Sequence, residues 1–300
     1  MEFNPNYLNG LVGSLGASTQ VEQKLTSELS SGLAVSSLSD NPVAAGQASL
    51  LSSAISQDDT FVQTAASTQS LMQVADSALG SVVTQLTSAL SLAVEGNSGT
   101  ENASNLTALS QQLGGIRDQV VSLANSSYQG TYIFAGSQGN TQPYTVDTST
   151  TPATTTYNGD SLVNTVTTPN GQQIQTGLAG SAVFSAPGAD VMTALNNLIA
   201  DFASGTPSST AASDVGALTN ALNNLSQQRS VMDSSLSRIE SVGSYTQTDA
   251  TNRIAEVSTL VASDPATVAT QLSAAETQQQ ALTSVIATLE KQETLFDMMQ

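Results

Sequence analysis

Phe61–Leu90, FVQTAASTQSLMQVADSALGSVVTQLTSAL, sets the organisation of the chain. Its apolar and small residues return every three or four positions, at Phe61, Ala65, Thr68, Met72, Ala75, Leu79, Val82, Leu86 and Ala89. Positions three and four apart share one face of an α-helix, so this spacing draws a single apolar stripe along a long helix. Three more stretches obey the same rule. Leu106, Leu109, Leu113, Ile116, Val120 and Leu123 form one. Val215, Leu218, Leu222, Leu225, Arg229, Met232, Leu236 and Ile239 form another, which weakens at Gly243, Thr246 and Ala250 and resumes at Val257 and Leu260. The last runs through Val268, Leu272, Ala275, Gln279, Leu282, Ile286 and Leu289 to Phe296. Heptad-like stripes of this kind bury themselves by pairing helix against helix.

Start and stop signals fall at the edges of these stretches. Asp40-Asn41-Pro42 offers a capping side chain followed by a proline suited to a first helical position, and Asp264-Pro265 repeats the pattern. Asp190 is placed to cap a helix opening at Val191. Glu95-Gly96-Asn97-Ser98-Gly99 breaks one helix from the next, and so short a break predicts antiparallel packing. A helix from about residue 43 to 95 would be roughly 75–80 Å long at about 1.5 Å per residue.

Between Gly130 and Pro187 the helical spacing vanishes and Thr, Val, Gly, Asn and Tyr take over. Tyr132-Ile133-Phe134, Tyr144-Thr145-Val146 and Thr154-Thr155-Thr156-Tyr157 read as short strands, with Asn158-Gly159 as a hairpin turn. Val163 and Val166, then Ile174, then Val183 and Phe184 extend the series. A β-rich insertion of roughly 50–60 residues has a marginal core alone, so it is expected to lean on the helices. A disordered Thr-rich linker is the competing reading. The expected fold is mainly α with a β insertion: a long antiparallel coiled-coil helical rod carrying a small β-rich domain, its termini paired in a helical bundle. Its expected divisions are an N-terminal assembly segment (1–45), two halves of the rod (46–129 and 188–262), the β-rich outer domain (130–187) and a C-terminal assembly helix (263–300).

Composition narrows the function. Six Lys and Arg stand against 24 Asp and Glu, a formal net charge of -18. Phosphate recognition needs clustered cations, and Lys24, Arg117, Arg229, Arg238, Arg253 and Lys291 are scattered. Nucleic acid and anionic membrane surfaces are therefore poor partners, and no uninterrupted apolar run reaches the roughly 20 residues of a membrane helix. The absence of Cys and His removes disulfides, thiolate chemistry and imidazole catalysis. Asp58-Asp59 is the most obvious acidic pair, but adjacent helical residues point about 100° apart and do not share a site. No Asp-x-Asp-x-Asp-Gly calcium loop is present. No catalytic, metal or cofactor site is expected. Met1–Asn6 lacks the basic region of a secretory signal peptide, so export is expected to proceed without a cleaved signal.

The termini carry the interaction signal. Leu8, Leu11, Leu15, Leu25, Leu29 and Leu33 stripe the first segment, and Val268, Leu272, Leu282, Ile286, Leu289 and Phe296 stripe the last. Gly10, Gly13 and Gly16 each weaken an isolated helix by roughly 1 kcal/mol. Either the two termini pair with each other within one chain, or they are loose alone and order when neighbouring subunits dock.

Leu29-Ser30-Ser31-Gly32-Leu33, the turn ending in Asp40-Asn41-Pro42, and Asp76-Ser77-Ala78-Leu79 resemble segments of the flagellin superfamily. Ser126-Ser127-Tyr128-Gln129-Gly130-Thr131-Tyr132-Ile133-Phe134-Ala135-Gly136 resembles the turn by which the hook–filament junction branch of that superfamily enters its β domain. The resemblance covers the N-terminal half well and the C-terminal helices by pattern. Ala34 departs from it, standing where flagellins usually carry Arg, and the ending Glu293–Gln300 differs from the filament subunits' Leu-rich tail.

The resemblance implies a structural, non-enzymatic, secreted component of the bacterial flagellum, acting in motility and passed unfolded through type III export. It implies an adaptor between the hook-associated layer and the filament, with a filament-forming flagellin as the alternative. Implied partners are copies of itself in a ring-like layer, the first hook-associated protein, flagellin, and an export chaperone on the C-terminal helix. The assembly role is carried to Leu8–Leu33 and Val268–Phe296. If the termini order on assembly, limited proteolysis of dilute protein will cut near residues 1–40 and 265–300 long before about 50–260; resistant termini would count against that reading.

Overall fold

The computed structural model describes the backbone of residues 5–206 and 208–297, and the side chains of 9–206, 208–289 and 291. The chain divides into two compact units, residues 57–248 and residues 1–56 with 249–300. Two long helices, α2 (Pro42–Gly96) and α6 (Ala211–Val261), contribute residues to both.

In the 57–248 unit the stripe quoted above is the core. Met72, Ala75, Leu79, Val82, Leu86, Ala89 and Ala93 are at most 1% exposed. α6 runs antiparallel to α2 across it. Gln69 Nε2 donates to Glu240 Oε1 at 2.8 Å, and Arg229 Nε donates to Asp76 Oδ1 at 2.6 Å. Arg229 occupies a stripe position because its guanidinium turns onto Asp76, which raises its pKa further, and passes over Gly80, where no side chain obstructs it. Beyond that point Met232 and Ile239 return to the core. α2 is long and apolar enough, by length and composition, to cross a membrane. Its stripe is taken up by protein contacts instead.

The break after Gly96 turns the chain into α3 (Ala103–Ala124), capped by Asn102, whose side chain accepts from Asn105 N. The next helix to pack on α3 is α5 (Val191–Ala203), and again the pair is antiparallel. The Ser110 hydroxyl donates to Ile199 O at 2.7 Å, and Arg117 Nη1 reaches Asn196 Oδ1 at 3.4 Å. Asp190 caps α5 as its position predicts, accepting from Thr193 N at 2.9 Å.

Between α3 and α5 lie four separate two-stranded antiparallel hairpins and a short helix, α4 (Gly180–Val183). β1 (Ser127–Tyr128) and β2 (Thr131–Tyr132) are joined by Gln129-Gly130, both at positive φ, which is the backbone of a type I′ turn. β3 (Tyr144–Asp147) pairs with β4 (Thr154–Tyr157), β5 (Thr165–Thr167) with β6 (Gln173–Gln175), and β7 (Ser185–Ala186) with β8 (Ala189–Asp190).

Several expected strands differ. Ile133 and Phe134 lie beyond β2 and plug the core, Val163 is in no strand, and Val183 and Phe184 end α4 rather than form a strand. Asn158-Gly159 is not the hairpin turn. It follows β4 and closes the hairpin's open end, with Asn158 N donating to Pro143 O at 2.8 Å. A two-residue Asn-Gly signal is local, whereas here the β3–β4 register leaves residues 148–153 as the turn.

The hairpins lean on the helices, as their small size requires. Phe134, Tyr144 and Phe184 stack edge to face at 5.3 and 5.7 Å between ring centres and belong to the same core as α2, α3, α5 and α6. Asn125, just past α3, clamps Tyr144 on both sides: Oδ1 accepts from its N–H at 2.8 Å and Nδ2 donates to its C=O at 2.9 Å.

Gly136 closes this region at φ +72, and a Cβ there would stand on the Asp160 carboxyl and backbone carbonyl. Gly136→Ala is therefore expected to cost about 2 kcal/mol or more, from the left-handed backbone and the overlap together. Urea denaturation will show a lower midpoint with little change in slope.

Candidate functional site

The second unit contains the terminal helices, α1 (Pro5–Ser31) and α7 (Pro265–Asp297), which pair with each other. Gln279 Nε2 donates to Thr19 Oγ1 at 3.3 Å, and Ser263 N donates to Gly32 O at 2.9 Å. Low numbers in α1 thus face high numbers in α7, an antiparallel arrangement. Leu25 is buried with Val268 and Ala275, and Leu272 packs against them half-buried. Leu11, Leu15, Leu282, Ile286 and Leu289 are also half-buried. Leu29 and Leu33 stay 41% and 37% exposed, so the structure does not bring them into the seam. The side chains of Leu8 and Phe296 lie outside the described residues.

The pairing matches the within-chain reading of the termini, but the seam is thin. Among the described residues three apolar side chains make its buried cluster, against a cluster drawn from seven helices and strands in the other unit. Helices of this kind draw most of their stability from packing, so α1 and α7 hold each other weakly. Apolar surface remains over. Val12, Val21 and Val285 are exposed on the pair, and Leu38, Val43 and Leu50 are 70–75% exposed nearby in sequence. Gly10, Gly13 and Gly16 have nothing within 4 Å of where a side chain would begin. Among the described residues nothing requires their smallness. The stripe reading missed Ser18, 8% exposed, because a buried serine gives no hydrophobic signal.

The segment Leu29–Pro42 ties this unit together. Gly32, at φ +72, ends α1, with its N–H donating to Glu28 O at 2.8 Å. Leu33 then bridges to Ala262, and Ala34 N and Val35 N both donate to Val261 O, at 2.7 and 3.3 Å. Asn41, rather than Asp40, caps α2 by accepting from Ala44 N at 3.1 Å. Asp40 instead gathers Ser36 N, Ser37 N, both serine hydroxyls and Lys24, whose Nζ lies 3.2 Å away. The Ser37 hydroxyl foremost, then Lys24 and the backbone N–H groups, hold the Asp40 carboxyl well below the usual carboxylate range. Among the described residues no group of three or more acidic, His or Cys side chains gathers as for a metal.

Residues 11–139 match the family described as the bacterial flagellin N-terminal helical region, and residues 215–298 match the bacterial flagellin C-terminal helical region. A curated relative, flagellar hook-associated protein 3 of Salmonella typhimurium, is 31% identical over 163 residues, which is 54% of this chain and 50% of that protein. Half of that relative's length is thus spanned. Flagellar hook-associated protein 3 of Escherichia coli is 27% identical over 262 residues, 79% of this chain and 80% of that protein. The fold is similar to that of a Vibrio parahaemolyticus chain described as a flagellar hook-associated protein, with TM-score 0.62 and 20% identity, covering 74% of this chain and 99% of that one. It is also similar to the flagellar junction protein FlgL from Legionella pneumophila, with TM-score 0.54 and 13% identity, covering 64% and 99%.

The Asp40 cluster has a pH signature. A depressed carboxylate stabilises the folded turn above its unfolded pKa of about 3.9 and loses that contribution as pH falls through the folded value. Asp40→Asn is accordingly expected to speed amide exchange across residues 32–44 at pH 7. The difference from wild type should shrink in strong acid, while exchange in α3 and α5 stays unchanged.

Proposed function

We propose, because this chain belongs to the flagellin family, that it is a structural adaptor of the bacterial flagellum, joining the hook-associated layer to the flagellin filament through its terminal helices. One observation carries the reading. The two family matches reach the two helices that pair, α1 and α7, and that pair buries little while leaving apolar residues and open glycines on its surface. A weakly held helix pair with spare apolar surface is completed by further helices.

The names of the curated relatives favour the hook–filament junction over a filament-forming flagellin. In this reading the chain forms a ring-like layer of its own copies, with the first hook-associated protein on one side and flagellin on the other. Leu11, Leu15, Leu282, Ile286 and Leu289 form the half-buried inner seam, and Val12, Val21 and Val285 meet neighbouring subunits. Open space at Gly10, Gly13 and Gly16 admits close helix approach. The β-rich segment, 130–187, faces outward. The chain leaves the cell through type III export, with a chaperone covering the C-terminal helix until assembly. No catalytic role is ascribed to it, and net negative charge serves solubility.

Deleting the gene from its bacterium should abolish motility, leave hooks in place and shed flagellin monomers into the medium. In that strain, Val21→Asp is expected to leave urea unfolding of the purified protein unchanged, because Val21 is 51% exposed. It should cut recovery of motility at least ten-fold relative to the wild-type gene. Full recovery with Val21→Asp would remove the exposed face of α1 from the interface. Normal filaments in the deletion strain would sink the adaptor role.

A further inference from the structure

Asp201 lies in the last turn of α5 and is 9% exposed. Its Oδ1 accepts from the Thr210 hydroxyl at 3.1 Å, but no donor reaches its buried Oδ2. The carboxyl of Asp214, in the first turn of α6, is within hydrogen-bond reach of Asp201, and its Oδ1 accepts from Asn197 Nδ2 at 3.2 Å. Both carboxyls line a cavity of about 290 Å3, with the hydroxyl-bearing Thr210 and Ser213 and with Pro152 from the β3–β4 turn.

Ionised together, the two carboxylates have no cation beside them among the described residues. Neither can donate to the other while ionised, and no Lys or Arg is among the cavity's lining residues. Burial first, and the Asp201 carboxyl after it, push the Asp214 pKa up, a sign that the anionic pair is under-compensated. Helix geometry adds to the strain on Asp201. The last turn of a helix presents carbonyl oxygens with negative partial charge, and α5 has no basic residue there. What the site lacks is positive charge, and what it offers is oxygen.

We propose that Asp201 and Asp214, supported by the Thr210 and Ser213 hydroxyls, bind a hard divalent cation of the calcium type. Oxygen-only donors select calcium or magnesium over transition metals. Magnesium demands a near-ideal octahedron, whereas calcium accepts irregular sets of six to eight oxygens, and a cavity of this size leaves room for water to complete the shell. Among the described residues no third acidic, His or Cys side chain joins the pair, which places the affinity in the weak range of extracellular modules, on the order of 0.1–1 mM. The bound ion would pin the end of α5 to the start of α6, independently of the terminal-helix interface.

The test uses the full-length chain, stripped with chelator and titrated with calcium chloride at constant ionic strength and pH 7. Amide NMR shifts and thermal unfolding are the readouts. Saturable shifts centred on residues 197–214, a rise in Tm, and at least a ten-fold weaker response to magnesium are expected. Asp201→Asn should weaken the calcium response at least ten-fold; if that variant does not fold, Asp214→Asn is read in its place. No saturation by 10 mM calcium, an unchanged isotherm in the variants, or an equal magnesium response would overturn the proposal. So would a stability that rises as pH falls with no calcium response, because the pair would then share a proton instead.

Discussion

The apolar seam that α2 lays against α6 and α3 is the contact on which the 57–248 unit depends. It is built mainly from Ala, Leu, Val and Met, with Phe61 at one end, and buries its small side chains completely at Ala75, Ala89 and Ala93. Where a stripe position is not apolar, the departure has a local cause. Arg229 leaves the stripe to meet Asp76 above Gly80, and the seam resumes at Met232. The hairpins could not stand without this platform. Each has two strands, and the large side chains of this region, Tyr144 on β3 with Phe134 after β2 and Phe184 at the end of α4, are buried in the helical core rather than in a separate one.

The same heptad rule gives a different result at the termini. α1 and α7 carry stripes of similar spacing, yet among the described residues they bury a cluster of only Leu25, Val268 and Ala275. Spacing decides which face of a helix is apolar; the amount of partner surface decides how much of that face is covered. A protein with one deeply packed unit and one thinly packed unit has a gradient of local stability, and the segments that bind partners are drawn from the low end. The strap of Gly32, Ala34 and Val35 onto Val261 and Ser263 holds the thin pair in register without adding to its buried surface. That arrangement suits helices whose final packing is supplied by neighbours.

Charge works in two ways here. Several acidic side chains act locally: Asp40 organises the turn after α1, Asp190 caps α5, Asp264 meets the start of α7, and Asp160 draws in Ser137 beside Gly136. In each case backbone N–H groups or hydroxyls meet the carboxylate. Asp201 and Asp214 are the contrasting pair, because no donor reaches the buried Oδ2 of Asp201 and the two groups lie beside one another.

The sequence by itself determined the helices, their apolar faces and their caps. Spacings of three and four residues, Asp190 before Val191 and Asp264 before Pro265 are local signals, and local signals survive whatever the rest of the chain does. The entry into the hairpins was legible only by resemblance, over Ser126–Gly136; the positive φ of Gln129 is a finding of the structure, since glutamine does not favour that backbone. Tertiary structure alone decided the strand limits and the role of Asn158-Gly159, because register depends on which residues stand opposite. It decided that Leu29 and Leu33 stay outside the seam while Ser18 goes in. It also brought Lys24 to Asp40 and Asp201 to Asp214. Those meetings depend on how separate helices and turns come together in space, and no periodicity along the chain records that.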